Sequence, residues 1–315
     1  MTHSAGVRRQ IDLLLASQPE TAPWLGVLFT VLEEASHPTW DAVAASTTLA
    51  DTSRSVGQSV SRSAEAPSLP THRLTDSQLP SPGTPLLAGA RIPIDAPLAD
   101  RWVRRMLALA AEAGPEAIGL RAAAADVALD ARAFLEAAVN ADGDRLEALA
   151  RSLDVDPAAL AAVAALAVMP LLHALRRRFG ALEALDPRWD GGWCPLCGGW
   201  PHLAEQRGLE RARRLRCARC GGDWAQPGVR CPYCGVVGHE ARAALVSEQD
   251  GEARKIETCS ACRGYLKSVS TLHAWAGDEV VLTDLATVDL DLVALERDYE
   301  RPEPRHLDPG VRLID

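Results

Sequence analysis

The chain has 315 residues, 47% of them hydrophobic and 24% charged, which suits a globular protein of two or three domains. A formal charge of −9 argues against a general polyanion binder. The charge is uneven: positions 188–267 hold thirteen Lys and Arg against nine Asp and Glu, a local +4, which leaves −13 for the rest.

The opening Met1-Thr2-His3-Ser4 lacks the apolar run of a secretory signal, so a cytoplasmic location is expected. Helical periodicity over 7–16 and 22–36 puts Ile11, Leu14 and Leu15, then Trp24, Leu25, Leu28 and Leu32, on single faces, and residues 1–45 read as N-terminal helices. Positions 46–85 contain nine Ser, six Thr and five Pro among forty residues. So little apolar surface does not offset ordering entropy, and 46–96 is expected to be a disordered linker.

Residues 97–187 read as a helical domain. Pro97 to Asp100 opens a helix carrying Trp102, Val103, Met106, Leu107 and Leu109. Asp156-Pro157 joins an N-cap acceptor to a proline at the first helical position. That helix runs toward Arg176-Arg177-Arg178, where basic residues suit a C-terminal end, and Pro170 should kink or divide it. Its uncharged run, Pro157 to Leu172, is short for a membrane span, and its alanines imply close helix packing rather than a cofactor cavity. His173 reads as a core residue. The sequence holds no Gly-rich phosphate loop, nucleophile elbow or recognisable carboxylate pair, so no catalytic residue is assigned.

All eight cysteines fall in four Cys-x-x-Cys knuckles, Cys194/Cys197, Cys217/Cys220, Cys231/Cys234 and Cys259/Cys262. A knuckle turns two thiolates toward one centre, and two knuckles supply a tetrahedral four-sulfur set. Zinc and iron both accept that set, so the spacing gives the site type and leaves the metal open. Nineteen residues separate Cys197 from Cys217 and twenty-four separate Cys234 from Cys259, room in each case for a hairpin. Turn candidates stand at Gln206-Arg207-Gly208 and Gln249-Asp250-Gly251-Glu252. The first knuckle is therefore paired with the second and the third with the fourth, interleaving being the alternative. This gives metal modules at 188–227 and 228–275, and a C-terminal segment, 276–315, with a short helix. Gly198, Gly221 and Gly235 follow knuckles, where a Cβ is expected to crowd the sulfurs. Disulfides need an oxidising compartment, and a thioredoxin-like pair does not explain four copies. His239 is a spare ligand that the complete cysteine sets do not need.

The flanks of the knuckles carry a resemblance. They read Trp193-Cys-Pro-Leu-Cys-Gly198 with Pro201, Leu215-Arg-Cys-Ala-Arg-Cys220 with Trp224, and Arg230-Cys-Pro-Tyr-Cys-Gly235. Then come Glu257-Thr-Cys-Ser-Ala-Cys262, Gly264-Tyr265-Leu266-Lys267, Thr283-Asp284-Leu285-Ala286, Asp289 and Asp291. This resembles the bacterial formate dehydrogenase accessory proteins, the E-type accessory factors, specifically from Trp193 to Asp291 and only generally over 97–185. The resemblance implies an α+β multidomain chain, in which a helical N-terminal domain precedes two small rubredoxin-like or zinc-ribbon-like four-cysteine modules. It implies two metal ions per chain held by the eight cysteines, with iron favoured and zinc the alternative. It further implies a cytoplasmic maturation factor that is not an enzyme. Such a factor contacts the catalytic subunit of respiratory formate dehydrogenase, which needs it for activity.

Candidate partner-binding residues are Arg213, Arg214 and Arg216, part of a basic run with Arg211 and Arg219 that suits an acidic surface. Trp200, Trp224, Tyr265 and Lys267 join them. The alternative is a solvated basic face, with Trp193, Trp200 and Trp224 covering the module cores. Neither nucleic acid nor membrane insertion is expected. The rival reading is a zinc-ribbon nucleic-acid binder, supported by the local +4. A catalytic metal is disfavoured because a closed four-cysteine shell offers no open position.

Overall fold

The structure is a computed structural model and describes residues 3–19, 22–50, 83–114, 118–179, 189–247, 251–303 and 309–315. Most of the expected linker, 51–82, lies outside these residues. The N-terminal helices are α1 (His3–Ser17), α2 (Ala22–Ala35) and α3 (Pro38–Ser46). After the short strand β1 (Arg91–Pro93) come α4 (Ala96–Ala113), α5 (Ile118–Ala125), α6 (Ala131–Asn140), α7 (Gly143–Ser152), α8 (Pro157–Ala167) and α9 (Met169–Phe179).

Aspartates start four of these helices. The carboxylates of Asp95, Asp130, Asp142 and Asp156 each accept the N–H three residues on, at Leu98, Ala133, Arg145 and Ala159, over 2.9–3.3 Å. The division expected near Pro170 occurs at Val168, with proline in the first turn of α9, where its missing N–H costs nothing. The apolar stretch Pro157–Phe179 is long enough to cross a membrane by length and composition, and 67% of its most apolar window is buried inside the protein. Trp40 and Trp102 meet edge to face at 6.2 Å in this core, and Trp102 Nε1 donates to Ala167 O at 2.7 Å. His173 is a core residue here as well. Burial holds its imidazole neutral, with a pKa of about 3.

Residues 83–95, assigned by sequence to the linker, belong to the core. Leu86, Leu87, Ile92 and Ile94 are buried, and Leu86 and Leu87 donate to Pro195 O and Leu196 O in the first knuckle. Thr48 and Arg91 exchange both backbone hydrogen bonds, which ties the end of the N-terminal helices to β1. The Ser/Thr/Pro content that defined the linker stops at Pro85, and the apolar residues after it supply their own burial energy.

The two metal modules share one sheet. Its strands are β2 (Leu203–Arg207), β3 (Ala212–Arg216), β4 (Asp223–Ala225), β5 (Arg242–Ser247), β6 (Gly251–Cys259) and β7 (Tyr265–Thr271), in the order β4-β3-β2-β7-β6-β5. Each half is an antiparallel three-stranded ribbon, and the parallel pair β2–β7 joins them, with Leu203 opposite Lys267. The β2–β3 turn forms as expected, with Gly208 and Arg211 in the left-handed region. The β5–β6 turn candidate lies partly outside the described residues.

The C-terminal segment holds more than a short helix. It contains α10 (Glu279–Ala286), α11 (Val288–Leu295) and β8 (Arg312–Ile314), and β8 pairs in parallel with β1. The Asn140 amide both donates to Val311 O (2.9 Å) and accepts from Val311 N (3.0 Å), while Glu136 accepts from Leu313 N at 2.8 Å. The chain thus returns to the helical layer after the metal region.

Candidate metal centres

The knuckles repeat one backbone device. The N–H of the first cysteine donates to the carbonyl five residues later: Cys194 to Gly199, Cys217 to Gly222, Cys231 to Val236 and Cys259 to Gly264, at 2.8–3.1 Å. The residue after each second cysteine lies in the left-handed region, at φ of 71° to 76° for Gly198, Gly221 and Gly235, and at 56° for Arg263. At Gly221 and Gly235 this corrects the sequence expectation, since a Cβ there would meet Gly277 and Arg230 rather than a sulfur. These glycines serve the turn, because positive φ is easy only for glycine, and sulfur crowding occurs elsewhere. A Cβ on Gly264 would lie 3.1 Å from Cys262 Sγ and 2.8 Å from the Tyr233 ring. The strain at Arg263 is held by its guanidinium, which donates to Arg297 O (2.7 Å) and Asp298 O (3.0 Å) and lies over Tyr299.

The sulfurs gather as paired: Cys194, Cys197, Cys217 and Cys220 in one group, Cys231, Cys234, Cys259 and Cys262 in the other, all within 4.8 Å inside each group. Cross-knuckle separations are 3.5 and 3.6 Å in the first and 3.8 Å twice in the second. Four sulfurs at 2.3 Å from one tetrahedral centre stand about 3.8 Å apart, so both groups fit a zinc or iron ion. His239 stands exposed outside both sets.

The groups differ in access to water. All four thiols of the first are buried in the main core with helical residues, whereas Cys234 and Cys262 of the second are exposed. Burial drives the Cys194 thiol well above its ordinary pKa, because a charged thiolate is costly in an apolar core. In the second group backbone N–H groups of Ala261 and Cys262 face Cys259, and those of Tyr233 and Cys234 face Cys231.

Arg213, Arg214 and Arg216 do not form a free basic face. Arg213 makes a bidentate pair with Glu257 (2.7 Å), Arg214 meets Asp223 (2.6 Å), and Arg216, fully buried, pairs with Glu205. The basic run instead alternates between two networks on opposite faces of β3. These pairs also take three arginines from the basic surface that the nucleic-acid reading needs. Trp224 is 2% exposed and covers the first module.

Lys267 and Tyr265 are likewise internal. Lys267 is 0% exposed and lies 2.8 Å from Asp284 and 2.7 Å from Asp291. Arg301 reaches the same two carboxylates at 2.7 and 2.9 Å, and Tyr265 Oη donates to Asp291 at 2.7 Å. Burial would raise the Asp284 carboxyl, but Arg301 and Lys267 hold it down to about 2. Of the candidate partner residues, Trp200 stays half-buried, as do the ion-paired Arg213 and Arg214. Trp200 meets Tyr233 edge to face at 5.4 Å and donates to Glu303 O at 3.1 Å.

Trp200 borders a cleft of about 520 Å³ between the helical layer and the first sulfur group. Its walls include Ala138, Ala141, Ala161, Ala164 and Ala165, with Gly198 and Gly199 beneath. The expectation that alanine means only close packing is therefore corrected: Ala167 packs inward, while Ala161, Ala164 and Ala165 line this space. Sequence reading placed Arg219 in the basic run and missed the cleft it borders, along with His202 and Arg301, because their partners are distant in the chain.

Residues 229–307 match the family described as FdhE, C-terminal domain. Curated proteins named "Protein FdhE homolog" align over the same kind of length. The one from Aquifex aeolicus is 32% identical over 119 residues, 37% of this chain and 41% of its own. The one from Stutzerimonas stutzeri is 33% identical over 132 residues, 40% of this chain and 41% of its own. The matched stretch thus spans about two fifths of these relatives. A solved chain described as the crystal structure of the FdhE protein from Pseudomonas aeruginosa aligns at 24% identity with a TM-score of 0.40, over 67% of this chain and 97% of its own.

Proposed function

We propose that this chain is a cytoplasmic accessory factor that binds the catalytic subunit of a respiratory formate dehydrogenase and is required for its activity, without turning over formate itself. The observation that carries the reading is the match to the FdhE C-terminal domain over 229–307, a stretch that contains the whole second sulfur group together with Tyr265, Lys267, Asp284, Asp291 and Arg301. The eight cysteines would hold two metal ions, with iron the preferred occupant. Iron in such a set changes oxidation state at a potential tuned by N–H···S bonds and water access, and zinc would supply structure alone. The chain's own residues position the sulfurs through the four repeated turns, shield the first set within the core and leave the second at the surface.

Deleting the gene tests this reading. Respiratory formate oxidation should disappear while the catalytic polypeptide is still made, and normal oxidation in the deletion strain would remove the proposal. Metal analysis and a visible spectrum of protein purified without air identify the ions.

A further inference from the structure

The cleft beside the first sulfur group combines apolar walls with donor atoms that have no hydrogen-bond partner among the described residues. Five alanines, Leu146, Pro201 and Pro302 give it an apolar lining, and its volume of about 520 Å³ falls in the range of ligand sites. Most polar groups around it are already used. The Tyr233 hydroxyl donates to Pro201 O or Tyr265 O, Asn140 clamps Val311, and Arg301 holds Asp284 and Asp291.

Two donors remain. Arg219 spends Nη2 on Ala138 O (2.7 Å) and Val139 O (3.1 Å) at the end of α6, and its Nε and Nη1 have no partner among the described residues. His202 accepts the Ala218 N–H on Nδ1 at 3.4 Å, which leaves the proton of its neutral ring on Nε2, again without a partner among the described residues. Burial lowers the pKa of that ring, against the pull of Asp284 and with help from Arg301, Arg219 and Lys267, which favours its neutral form. Donors set among methyl groups call for acceptor oxygens attached to an apolar body.

We propose that this cleft receives a polypeptide segment of the client protein, with a large apolar side chain against α8 and its flanking carbonyl oxygens taken by Arg219 and His202. The proposal rests on the accessory-factor reading and names the site and chemistry through which the client is held. A polypeptide fits better than an enclosed small molecule, because one side is open: Gly143, Ala161, Ala165 and Glu303 at the edge are exposed. The bound residue would lie over Gly198 and Gly199, against the backbone that carries Cys197, so the client would touch the first sulfur group's own turn.

The test uses the full metal-loaded chain and purified catalytic subunit of a formate dehydrogenase, with binding followed by calorimetry. Ala165→Trp fills the cleft, and Arg219→Met removes the donors while keeping apolar length. Leu209→Ser, at a residue 93% exposed and distant from the cleft, is the control. Both cleft variants should weaken binding at least tenfold with metal content unchanged, the control should bind normally, and wild-type binding should show a negative heat-capacity change. A photo-crosslinker at position 161 should capture a client peptide centred on a large apolar residue. Binding of Ala165→Trp at wild-type strength, or capture of a wholly polar peptide, overturns the cleft assignment while leaving the accessory reading intact. N-acetylleucine binding as tightly as the subunit would make this a small-molecule site and also overturn it. Failure of the wild-type chain to bind the subunit removes both readings.

Discussion

Gly192 and Pro232 touch backbone to backbone, the first just ahead of the first knuckle and the second inside the third. A Cβ on Gly192 would collide with the Pro232 carbonyl and Cα. The two metal modules are therefore joined at their turns as well as along β2–β7. Gly192→Ala should cost about 1–3 kcal/mol, the usual penalty for overpacking. Chemical denaturation of the metal-loaded protein measures it, and an unchanged midpoint would show that the turns separate freely.

The unequal burial of the sulfur groups predicts the order of metal loss. A chelator should empty the second group before the first, because Cys234 and Cys262 are exposed while the first set is sealed in the core. Iodoacetamide with mass spectrometry should then find Cys234 and Cys262 modified first. Modification of Cys194 at the same rate would contradict it.

Metal should also hold the sheet. Binding free energy of ~10 kcal/mol or more per four-cysteine site becomes folding free energy where no site exists in the unfolded chain. Complete metal removal should abolish amide protection in β5 and β6, while α4 and α9 stay protected through the core around Trp40 and Trp102. Cys217→Ser should disturb only the first site. Loss of metal from Cys231 and Cys259 in that variant would contradict the grouping.

Lys267→Met would leave Asp284 and Asp291 with Arg301 as their remaining cation and should cost about 3 kcal/mol. The pH dependence follows from the depressed Asp284 carboxyl. Its contribution is present above its ordinary value of 3.8 and is lost as pH falls through about 2. Wild type should therefore lose about 2–3 kcal/mol more than Asp284→Asn across that window. Parallel stability curves for the two proteins would rule this out.

The local features were legible in sequence. The knuckle spacing gave both sulfur groups, and the caps at Asp156 and the periodicity of α1, α2 and α4 gave the helices. What stayed hidden depended on distant partners. The run of arginines looked free because Glu205, Asp223 and Glu257 face it only once β2, β4 and β6 are aligned. The alanines of α8 looked uniform because burial, which separates Ala164 from Ala165, is a property of the assembled layers. Leu86 to Ile94 looked like a linker because their partners are the first knuckle and β8.

The β1–β8 pair makes the whole metal region an insertion in the helical layer, which changes how the chain must assemble. Arg91 waits for Arg312, roughly 220 residues later, so closure of that pair carries a large loop entropy while the intervening chain is loose. Each metal ion that binds cross-links part of that loop and shortens it. The links span only Cys194–Cys220 and Cys231–Cys262, so they ease that closure by about 0.3 kcal/mol, and the Asn140 clamp on Val311 must close chiefly through the packing of the region between.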